Sequence, residues 1–159
     1  KKVNFLYVGR LSKEKGIFDF IEMFNKINID AKLSIAGYSK NFNFDNSKIE
    51  LLGYISDSQN LIKAYDECSI TILPSYTEGY PYVIDESLAR GRPVIIFEEI
   101  SYVVNNKNGI FVSKRDLNSL KETINYIIDN YEKIQLEIFK NLLPTKKSML
   151  KQISDIIGV

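Results

Sequence analysis

Short apolar runs alternate along this chain with longer segments in which apolar residues recur at the spacing of an α-helix. The first run, residues 3–8, is rich in strand-forming side chains and ends at Gly9, which is typical of a strand buried on both faces. The next segment places its apolar side chains on one helical stripe, at Ile17, Phe20, Ile21, Phe24 and Ile27. A buried strand followed by an amphipathic helix indicates a parallel sheet, because parallel neighbours need a crossover between them.

The same alternation continues along most of the chain. We expect strands over residues 3–8, 31–36, 49–52, 69–73, 94–97 and 110–112. Helices are expected from Gly16 onward and over residues 58–67, 81–90 and 116–131, with a last amphipathic helix between 149 and 157. The Asn-rich stretch 37–47 has neither period and is expected to be an irregular loop. The pattern predicts a doubly wound α/β domain with a mostly parallel sheet and helices on both faces.

Length and composition are those of an ordinary globular domain. The chain has 159 residues, of which 45% are apolar and 26% are charged, so one core can form without disulfides or a structural metal. No stretch approaches the roughly 18 consecutive apolar residues of a membrane span, and no signal peptide precedes the first strand. We therefore expect no transmembrane segment and a soluble, cytoplasmic protein. The chain begins at Lys1 without an initiator methionine, which suggests a fragment of a longer protein.

Net charge and rare residue types exclude several classes of function. The formal net charge is +1, so no long-range field attracts nucleic acid, and no nucleic-acid partner is expected. Histidine is absent, which removes serine–histidine and cysteine–histidine catalytic pairs and zinc–histidine sites. The single cysteine, Cys68, lies beside an apolar run and is expected to be a small buried side chain. Catalysis here would need carboxylates, lysine or arginine.

A basic loop follows the first predicted strand, at the edge of the sheet where ligands of open α/β folds bind. It reads Gly-Arg-Leu-Ser-Lys-Glu-Lys-Gly over residues 9–16 and carries Arg10 and Lys15. An arginine grips phosphate oxygens through two parallel hydrogen bonds, and a lysine adds a mobile charge, so the pair suits a diphosphate. Basic residues are also common in solvated turns, and Glu14 lies between two lysines. This loop alone leaves both interpretations open.

A second motif, residues 78–86, follows the strand predicted at 69–73. Its sequence is Glu-Gly-Tyr-Pro-Tyr-Val-Ile-Asp-Glu, and Pro81 fits the first turn of a helix. The free N–H groups of that turn, with a helix dipole of about half a positive charge, form an anion site. Glu78 in the loop and Glu86 on the second turn are placed to accept hydrogen bonds from hydroxyl groups.

Each glutamate also has an ordinary structural explanation. Glu86 could pair with Arg90 one turn later, for about 0.3–0.5 kcal/mol, and Glu78 could be a surface carboxylate of the loop. Taken together, two cations, a helix N-terminus and two hydroxyl-accepting carboxylates describe a pocket for a sugar joined to a nucleotide through a diphosphate. The combination is more specific than any of its parts.

These residues resemble glycosyltransferase family 4. The C-terminal domain of that family has a Gly-Arg-Leu loop, a lysine five residues after the arginine, and two glutamates separated by seven residues, as this chain has. The resemblance covers about residues 3–131 and is close over 74–94. The Asn-Gly step at 108–109 resembles the turn before the family's last short strand. Residues 98–102, Glu-Glu-Ile-Ser-Tyr, depart from the family's Gly-rich loop with a Pro-Glu step.

The resemblance implies a role for each motif residue. Arg10 and Lys15 would hold the donor diphosphate and stabilise the leaving nucleotide, Glu78 would bind sugar hydroxyls, and Glu86 would bind the ribose. The main chain would supply donor contacts at Gly79, Tyr80, Pro81, Tyr82 and Val83. The nucleotide base would lie against Gly53, Tyr54 and Ile55. No catalytic metal and no cofactor are implied, since the basic pair and the helix dipole neutralise the diphosphate.

The family has the two-domain GT-B fold and retains anomeric configuration during transfer. The resemblance therefore implies that residues 1–143 are the donor nucleotide-sugar-binding domain, the Rossmann-like half, and that 144–159 are a C-terminal tail or helix. The partner would be a nucleotide-diphosphate sugar, and the acceptor would bind largely to an N-terminal domain that this sequence lacks. The implied function is transfer of a hexosyl or related sugar, in surface glycan synthesis, with the isolated domain inactive.

Two other classes of function stay open on the sequence. The chain could be a nucleotide-binding module or an inactive partner subunit that keeps the donor pocket without transferring sugar. It could also be another doubly wound domain, dinucleotide-binding or phosphoryl-accepting, although no G-x-G-x-x-G follows the first strand. Turnover measured on the full-length protein distinguishes a transferase from a binding module, whereas donor binding does not.

Overall fold

The computed structural model describes residues 2–38, 44 and 46–145. The strands are β1 Val3–Val8, β2 Ala31–Ala36, β3 Ile49–Gly53, β4 Ile70–Leu73, β5 Val94–Phe97 and β6 Ile110–Ser113. The α-helices are α1 Ile17–Lys26, α2 Ser58–Glu67, α3 Tyr82–Ala89, α4 Leu117–Asp129 and α5 Tyr131–Ile138. Short 3₁₀ segments cover Lys13–Lys15 and Glu98–Val103. None of the helices in these ranges is long and apolar enough to cross a membrane.

The described strands form one sheet in the order β3-β2-β1-β4-β5-β6, and each of their pairings is parallel. The chain moves outward from β1 to β3, then returns and adds β4, β5 and β6 on the other side. This is a doubly wound fold, as predicted, and ligands of such folds bind where the strand order reverses. The reversal lies between β1 and β4, which pair at Phe5–Ile70 and Leu6–Thr71. The two loops that the sequence singled out follow these two strands.

Helices cover both faces of the sheet, and the alternating side chains of β1 contact one helical layer and then the other. Phe5 meets Phe20 and Phe24 of α1 edge-on, with ring centroids 6.1 and 6.0 Å apart. Leu6, the next residue, packs instead with Tyr65 of α2. Phe5 and Leu6 are both fully buried, so β1 is covered on both faces, as its mostly apolar sequence predicts.

The predicted strand boundaries agree with the structure to within one residue, whereas one helix prediction differs from it by more. The helix predicted over 116–131 is two helices, since α4 ends at Asp129 and α5 begins at Tyr131. Although the sequence beyond 131 is more polar, α5 buries two isoleucines against the core. Of the loop predicted over 37–47, residues 39–43 and 45 lie outside the described residues, as does the helix predicted between 149 and 157.

Cys68 is buried between α2 and β4, as its apolar neighbours predict. It is 5% exposed, and its Sγ lies 3.8 Å from the Thr71 hydroxyl. Burial raises the pKa of the Cys68 thiol to about 11, so the neutral form predominates at physiological pH. The side chain therefore contributes packing, as a small apolar group does.

We expect Phe20→Ala to lower the free energy of unfolding by about 3–5 kcal/mol. The substitution removes the ring that contacts Phe5 and Phe24 and leaves a cavity under α1. Leu142→Ala is the control, because this side chain is 99% exposed, and its effect should stay within about 0.5 kcal/mol. Urea denaturation, monitored by circular dichroism, measures the free energy of unfolding of both variants. Equal losses in the two would contradict the packing of α1 on β1.

Candidate functional site

The loops at the carboxyl edge of the sheet are tied together through their main chains. The Gly9 N–H donates to a β2 carbonyl at 2.9 Å, and the Gly37 N–H donates to the Gly53 carbonyl at 2.9 Å. The Tyr76 N–H, after β4, donates to the Glu14 carbonyl, after β1, at 3.0 Å. Strand order makes these bonds available, since β3, β2, β1 and β4 are consecutive in the sheet. The predicted site segments therefore share one edge.

The loops after β1 and β4 touch at Gly16. This residue has a φ of +60°, a left-handed conformation that favours glycine. A Cβ atom here would lie 2.0 Å from the Pro74 carbonyl oxygen and 3.1 Å from the Arg115 guanidinium. Glycine is thus required for two reasons, the backbone conformation and the close approach of the second loop.

Lys15 and Glu78, which come from these two loops, form an ion pair. The Lys15 Nζ lies 2.7 Å from the Glu78 Oε1, and the two side chains are 21% and 9% exposed. The Ser75 hydroxyl donates to the same carboxylate oxygen at 2.6 Å. A carboxylate this buried needs such partners, because an unpaired buried charge is costly. The structure thus brings the lysine predicted to bind phosphate into contact with the glutamate predicted to bind sugar.

Arg10 has a more open environment than Lys15. Its side chain is 77% exposed and lies 3.7 Å from the Glu14 carboxylate on the same loop. The turn that carries it is fixed by Tyr7, whose hydroxyl donates to the Arg10 carbonyl at 2.6 Å. Burial, followed by the nearby charge of Glu78, raises the pKa of Tyr7, so this phenol stays protonated and remains a donor. The main chain of Arg10 is held while its guanidinium stays accessible to an anion.

The helix predicted over 81–90 begins at Tyr82, and Pro81 is its N-cap rather than part of its first turn. Because proline has no N–H, Pro81 cannot supply an amide donor, whereas Gly79, Tyr80, Tyr82 and Val83 can. No side chain caps this N-terminus, which leaves first-turn N–H groups for an anion. Tyr80 and Tyr82 flank it, 50% and 59% exposed, with ring centroids 5.1 Å apart.

Glu86 lies on the side of α3 that faces α2. Its Oε2 accepts a hydrogen bond of 2.7 Å from the Tyr65 hydroxyl. Burial, followed by the charge of Glu86, raises the pKa of Tyr65, so the phenol stays a donor. The alternative explanation, in which Glu86 pairs with Arg90, is wrong, because Arg90 makes two hydrogen bonds of 2.8 Å to Asp66 of α2. Glu86 is thus oriented by a neutral hydroxyl.

The segment assigned to the nucleotide base ends β3 and leads to α2. Gly53 has a φ of +71°, and Tyr54 beside it is 75% exposed. Ile55 packs against the apolar cluster under α2 that contains Leu6 and Tyr65. Tyr54, Ile55 and the first turns of α2 line a cavity of about 390 Å³, a size within the roughly 300–1,000 Å³ of small-molecule sites. The surface beside β3 is therefore concave and partly apolar.

Two residues at this edge lie outside the predicted motifs. Arg115, just after β6, donates from Nη2 to the Pro74 carbonyl at 3.0 Å. Tyr102, in the 3₁₀ segment after β5, donates its hydroxyl to the Glu78 carbonyl at 2.7 Å and accepts from the Glu78 N–H at 3.0 Å. The unusual sequence of residues 98–102 was a signal for Tyr102, whereas no pattern marked Arg115.

The assembled edge combines accessible positive charge with main-chain donors and carboxylates. Cations and a helix N-terminus suit a diphosphate, and Glu78 and Glu86 suit hydroxyl groups. Within the described ranges, no group of three or more His, Cys, Asp or Glu residues is placed to hold a metal ion. A cavity of about 650 Å³ lies at the opposite edge, where β1 and β4 begin, away from these groups.

Comparison with known proteins gives matches over most of the chain. A family model described as glycosyl transferases group 1 matches residues 1–141. The N,N'-diacetylbacillosaminyl-diphospho-undecaprenol alpha-1,3-N-acetylgalactosaminyltransferase of Campylobacter jejuni is 24% identical over 149 residues, which are 89% of this chain and 39% of that protein. The capsular polysaccharide biosynthesis glycosyltransferase CapM of Staphylococcus aureus is 29% identical over 140 residues, 78% of this chain and 36% of CapM. The chain spans less than half the length of these relatives.

A solved structure has the same fold over nearly the whole chain. HepE from Anabaena, in complex with UDP and glucose, superposes with a TM-score of 0.78 at 17% identity. The superposition covers 99% of this chain and 48% of HepE. The described sheet and its helices therefore match the Rossmann-like half of a larger GT-B structure.

Gly16→Ala should lower the free energy of unfolding by at least about 2 kcal/mol. Alanine disfavours a φ of +60°, and its Cβ would overlap the Pro74 carbonyl. Gly79→Ala is the matched control, since a Cβ there meets nothing within 4 Å, and we expect a change within about 0.5 kcal/mol. Chemical denaturation compares the two. A Gly16→Ala variant as stable as Gly79→Ala would show that the loops do not pack as described.

Proposed function

Because this chain belongs to the glycosyl transferases group 1 family, we propose that it is the donor-binding domain of a retaining family 4 enzyme. Its donor would be a nucleotide-diphosphate sugar, and the transferred group would be a hexosyl or related unit. The presence of UDP and glucose in the HepE structure supports a donor of this class. The capsular polysaccharide biosynthesis role in the name of CapM supports a product among surface glycans.

The observation that carries this proposal is the contact of Lys15 with Glu78 at 2.7 Å. It places a cation suited to phosphate beside a carboxylate suited to sugar hydroxyls, in the loop that leads into α3. A nucleotide-diphosphate sugar requires this adjacency, because its sugar is bonded directly to the second phosphate. A ligand with a phosphate alone or a sugar alone would need one of the two groups.

In the proposed reaction, the bond between the anomeric carbon and the phosphate oxygen breaks, and the diphosphate leaves with the electron pair. The anomeric carbon bonds to an acceptor hydroxyl oxygen on the same face, and the hydroxyl proton passes to the leaving phosphate. Arg10, Lys15 and the α3 N-terminus would stabilise the negative charge that develops on the diphosphate. Lys15 would exchange Glu78 for phosphate, and Glu78 would turn to the sugar hydroxyls.

The remaining donor groups would bind along the edge from α3 to β3. Glu86, oriented by the Tyr65 hydroxyl, would accept hydrogen bonds from the ribose. The base would lie beside Gly53, Tyr54 and Ile55, at the mouth of the cavity next to α2. Main-chain amides for the diphosphate and sugar would come from Gly79, Tyr80, Tyr82 and Val83.

We place the acceptor on an N-terminal domain outside this sequence. The chain covers 39% and 36% of the two relatives described above, which leaves room in such proteins for a second domain. Residues 1–143 would form the donor domain and 144–159 a C-terminal tail or helix. On its own the chain would bind the donor without transferring sugar. A cytoplasmic location stays a prediction.

Calorimetric titration with UDP, GDP and ADP should show binding of one of the three. We expect a Kd between about 1 μM and 1 mM, which is the usual range of KM values for enzyme substrates. Titration with the corresponding sugar conjugates would then identify the donor. A folded chain that binds none of these ligands would contradict the proposal. If the donor binds but the full-length protein transfers no sugar to any acceptor supplied, the chain is a binding module or an inactive partner subunit.

Arg10→Ala combined with Lys15→Ala should weaken nucleotide binding at least about 100-fold, because each charged hydrogen bond to phosphate contributes about 1.5–3 kcal/mol. Glu86→Ala should weaken it about 3- to 10-fold through loss of a ribose contact. Lys121→Ala combined with Lys140→Ala removes the same charge from an exposed surface and should leave the Kd unchanged. Calorimetry measures all three, and wild-type affinity in both site variants would refute the residue assignment.

A further inference from the structure

Tyr102 holds the peptide groups on both sides of the Glu78 Cα. Its hydroxyl donates to the Glu78 carbonyl at 2.7 Å and accepts from the Glu78 N–H at 3.0 Å. The two hydrogen bonds define where the main chain of Glu78 lies relative to the segment after β5. Apart from these hydrogen bonds, the Tyr102 side chain buries little surface, because the residue is 58% exposed. Its contribution at this position is therefore mainly the pair of hydrogen bonds.

Arg115 holds the preceding part of the same loop. Its Nη2 donates to the carbonyls of Pro74 and Ser75 at 3.0 and 3.4 Å, and its guanidinium lies 4.0 Å from the Tyr76 ring centroid. Ser75 is the residue whose hydroxyl donates to the Glu78 carboxylate. A path of direct contacts thus connects Arg115 to the Glu78 carboxylate through Ser75.

The charge of Arg115 is already compensated. Its Nε donates to the Glu99 carboxylate at 2.7 Å, and the two side chains are 15% and 35% exposed. The hydrogen bond from Arg115 lowers the pKa of Glu99. At pH values above that pKa the Glu99 carboxylate is ionised and its ion pair with Arg115 is intact. A paired, largely buried guanidinium is suited to fixing a loop, whereas the exposed Arg10 is suited to meeting an incoming phosphate.

Donor binding would change what holds the Glu78 side chain. Lys15 and Ser75 both bond to its Oε1, and the proposed reaction moves Lys15 to the diphosphate. Glu78 would then keep the hydroxyl of Ser75 and gain the sugar. Its position at that stage would then depend on the groups that hold the main chain of its loop, and Tyr102 and Arg115 both do so.

We propose that Tyr102 and Arg115 are positioning residues that hold Glu78 against the donor sugar once Lys15 has turned to the diphosphate. This inference rests on the proposed function and deepens it, because it separates recognition of the sugar from recognition of the nucleotide. Loss of the Tyr102 hydroxyl should weaken binding of the sugar conjugate and leave binding of the bare nucleoside diphosphate unchanged. A general loss of stability would weaken both ligands together.

The test is Tyr102→Phe, which keeps the ring and removes both hydrogen bonds. We expect the Kd of the nucleotide sugar to rise about 5- to 10-fold, the effect of a hydrogen bond or two, and that of the nucleoside diphosphate to change by less than about 2-fold. Both are measured by calorimetry with the ligand pair that wild type binds. Tyr126→Phe, on α4 beside Phe111, is the matched control and should change neither Kd. Equal losses for both ligands, or no loss for either, would overturn the inference.

A second readout is independent of any ligand. In amide correlation spectra of the unliganded chain, Tyr102→Phe should shift the Glu78 and Gly79 resonances, because their peptide groups lose the phenol, and Tyr126→Phe should not. If wild type binds no nucleotide, the proposed function is wrong, and these spectra still decide whether Tyr102 holds the loop. Unchanged Glu78 and Gly79 resonances in Tyr102→Phe would contradict the inference by themselves.

Discussion

The site depends on how closely the loops after β1 and β4 approach each other. The Pro74 carbonyl lies so near Gly16 that no side chain could fit between them, and this approach places Lys15 against Glu78. The approach is possible because β1 and β4 are neighbours in the sheet although α1, β2, β3 and α2 separate them in the chain. The reversal of strand order thus sets the distance between the groups proposed for phosphate and for sugar.

The charges at this edge form one buried ion pair and one exposed ion pair. The pair of Lys15 and Glu78 is largely buried, and burying two charges is tolerable only when each satisfies the other. A diphosphate would replace Glu78 as the partner of Lys15 and so keep the buried ammonium paired. Arg10, mostly exposed and loosely paired with Glu14, can meet the anion first. In the proposed arrangement, Glu78 would then turn from Lys15 to the hydroxyls of the sugar bonded to that diphosphate.

Much of the fold was readable from the sequence because buried parallel strands are rich in apolar residues. The run 94–97 was predicted with its observed boundaries, whereas α5 was missed because two isoleucines in a polar segment make a weak pattern. At the site, the motifs located Lys15 and Glu78 correctly on neighbouring loops. They could not show that these two side chains bond to each other, since the residues lie 63 positions apart and no spacing rule spans such a distance.

The sequence by itself determined the fold class, the edge at which the motifs lie and the residue types available there. Local patterns suffice for these, because strand burial, helix periodicity and loop composition are properties of neighbouring residues. Tertiary structure decided the pairings: Tyr65 rather than Arg90 with Glu86, and Tyr102 with the main chain of Glu78. It also made Pro81 an N-cap without a donor. Such contacts join segments far apart in the chain, and packing alone brings them within hydrogen-bonding distance.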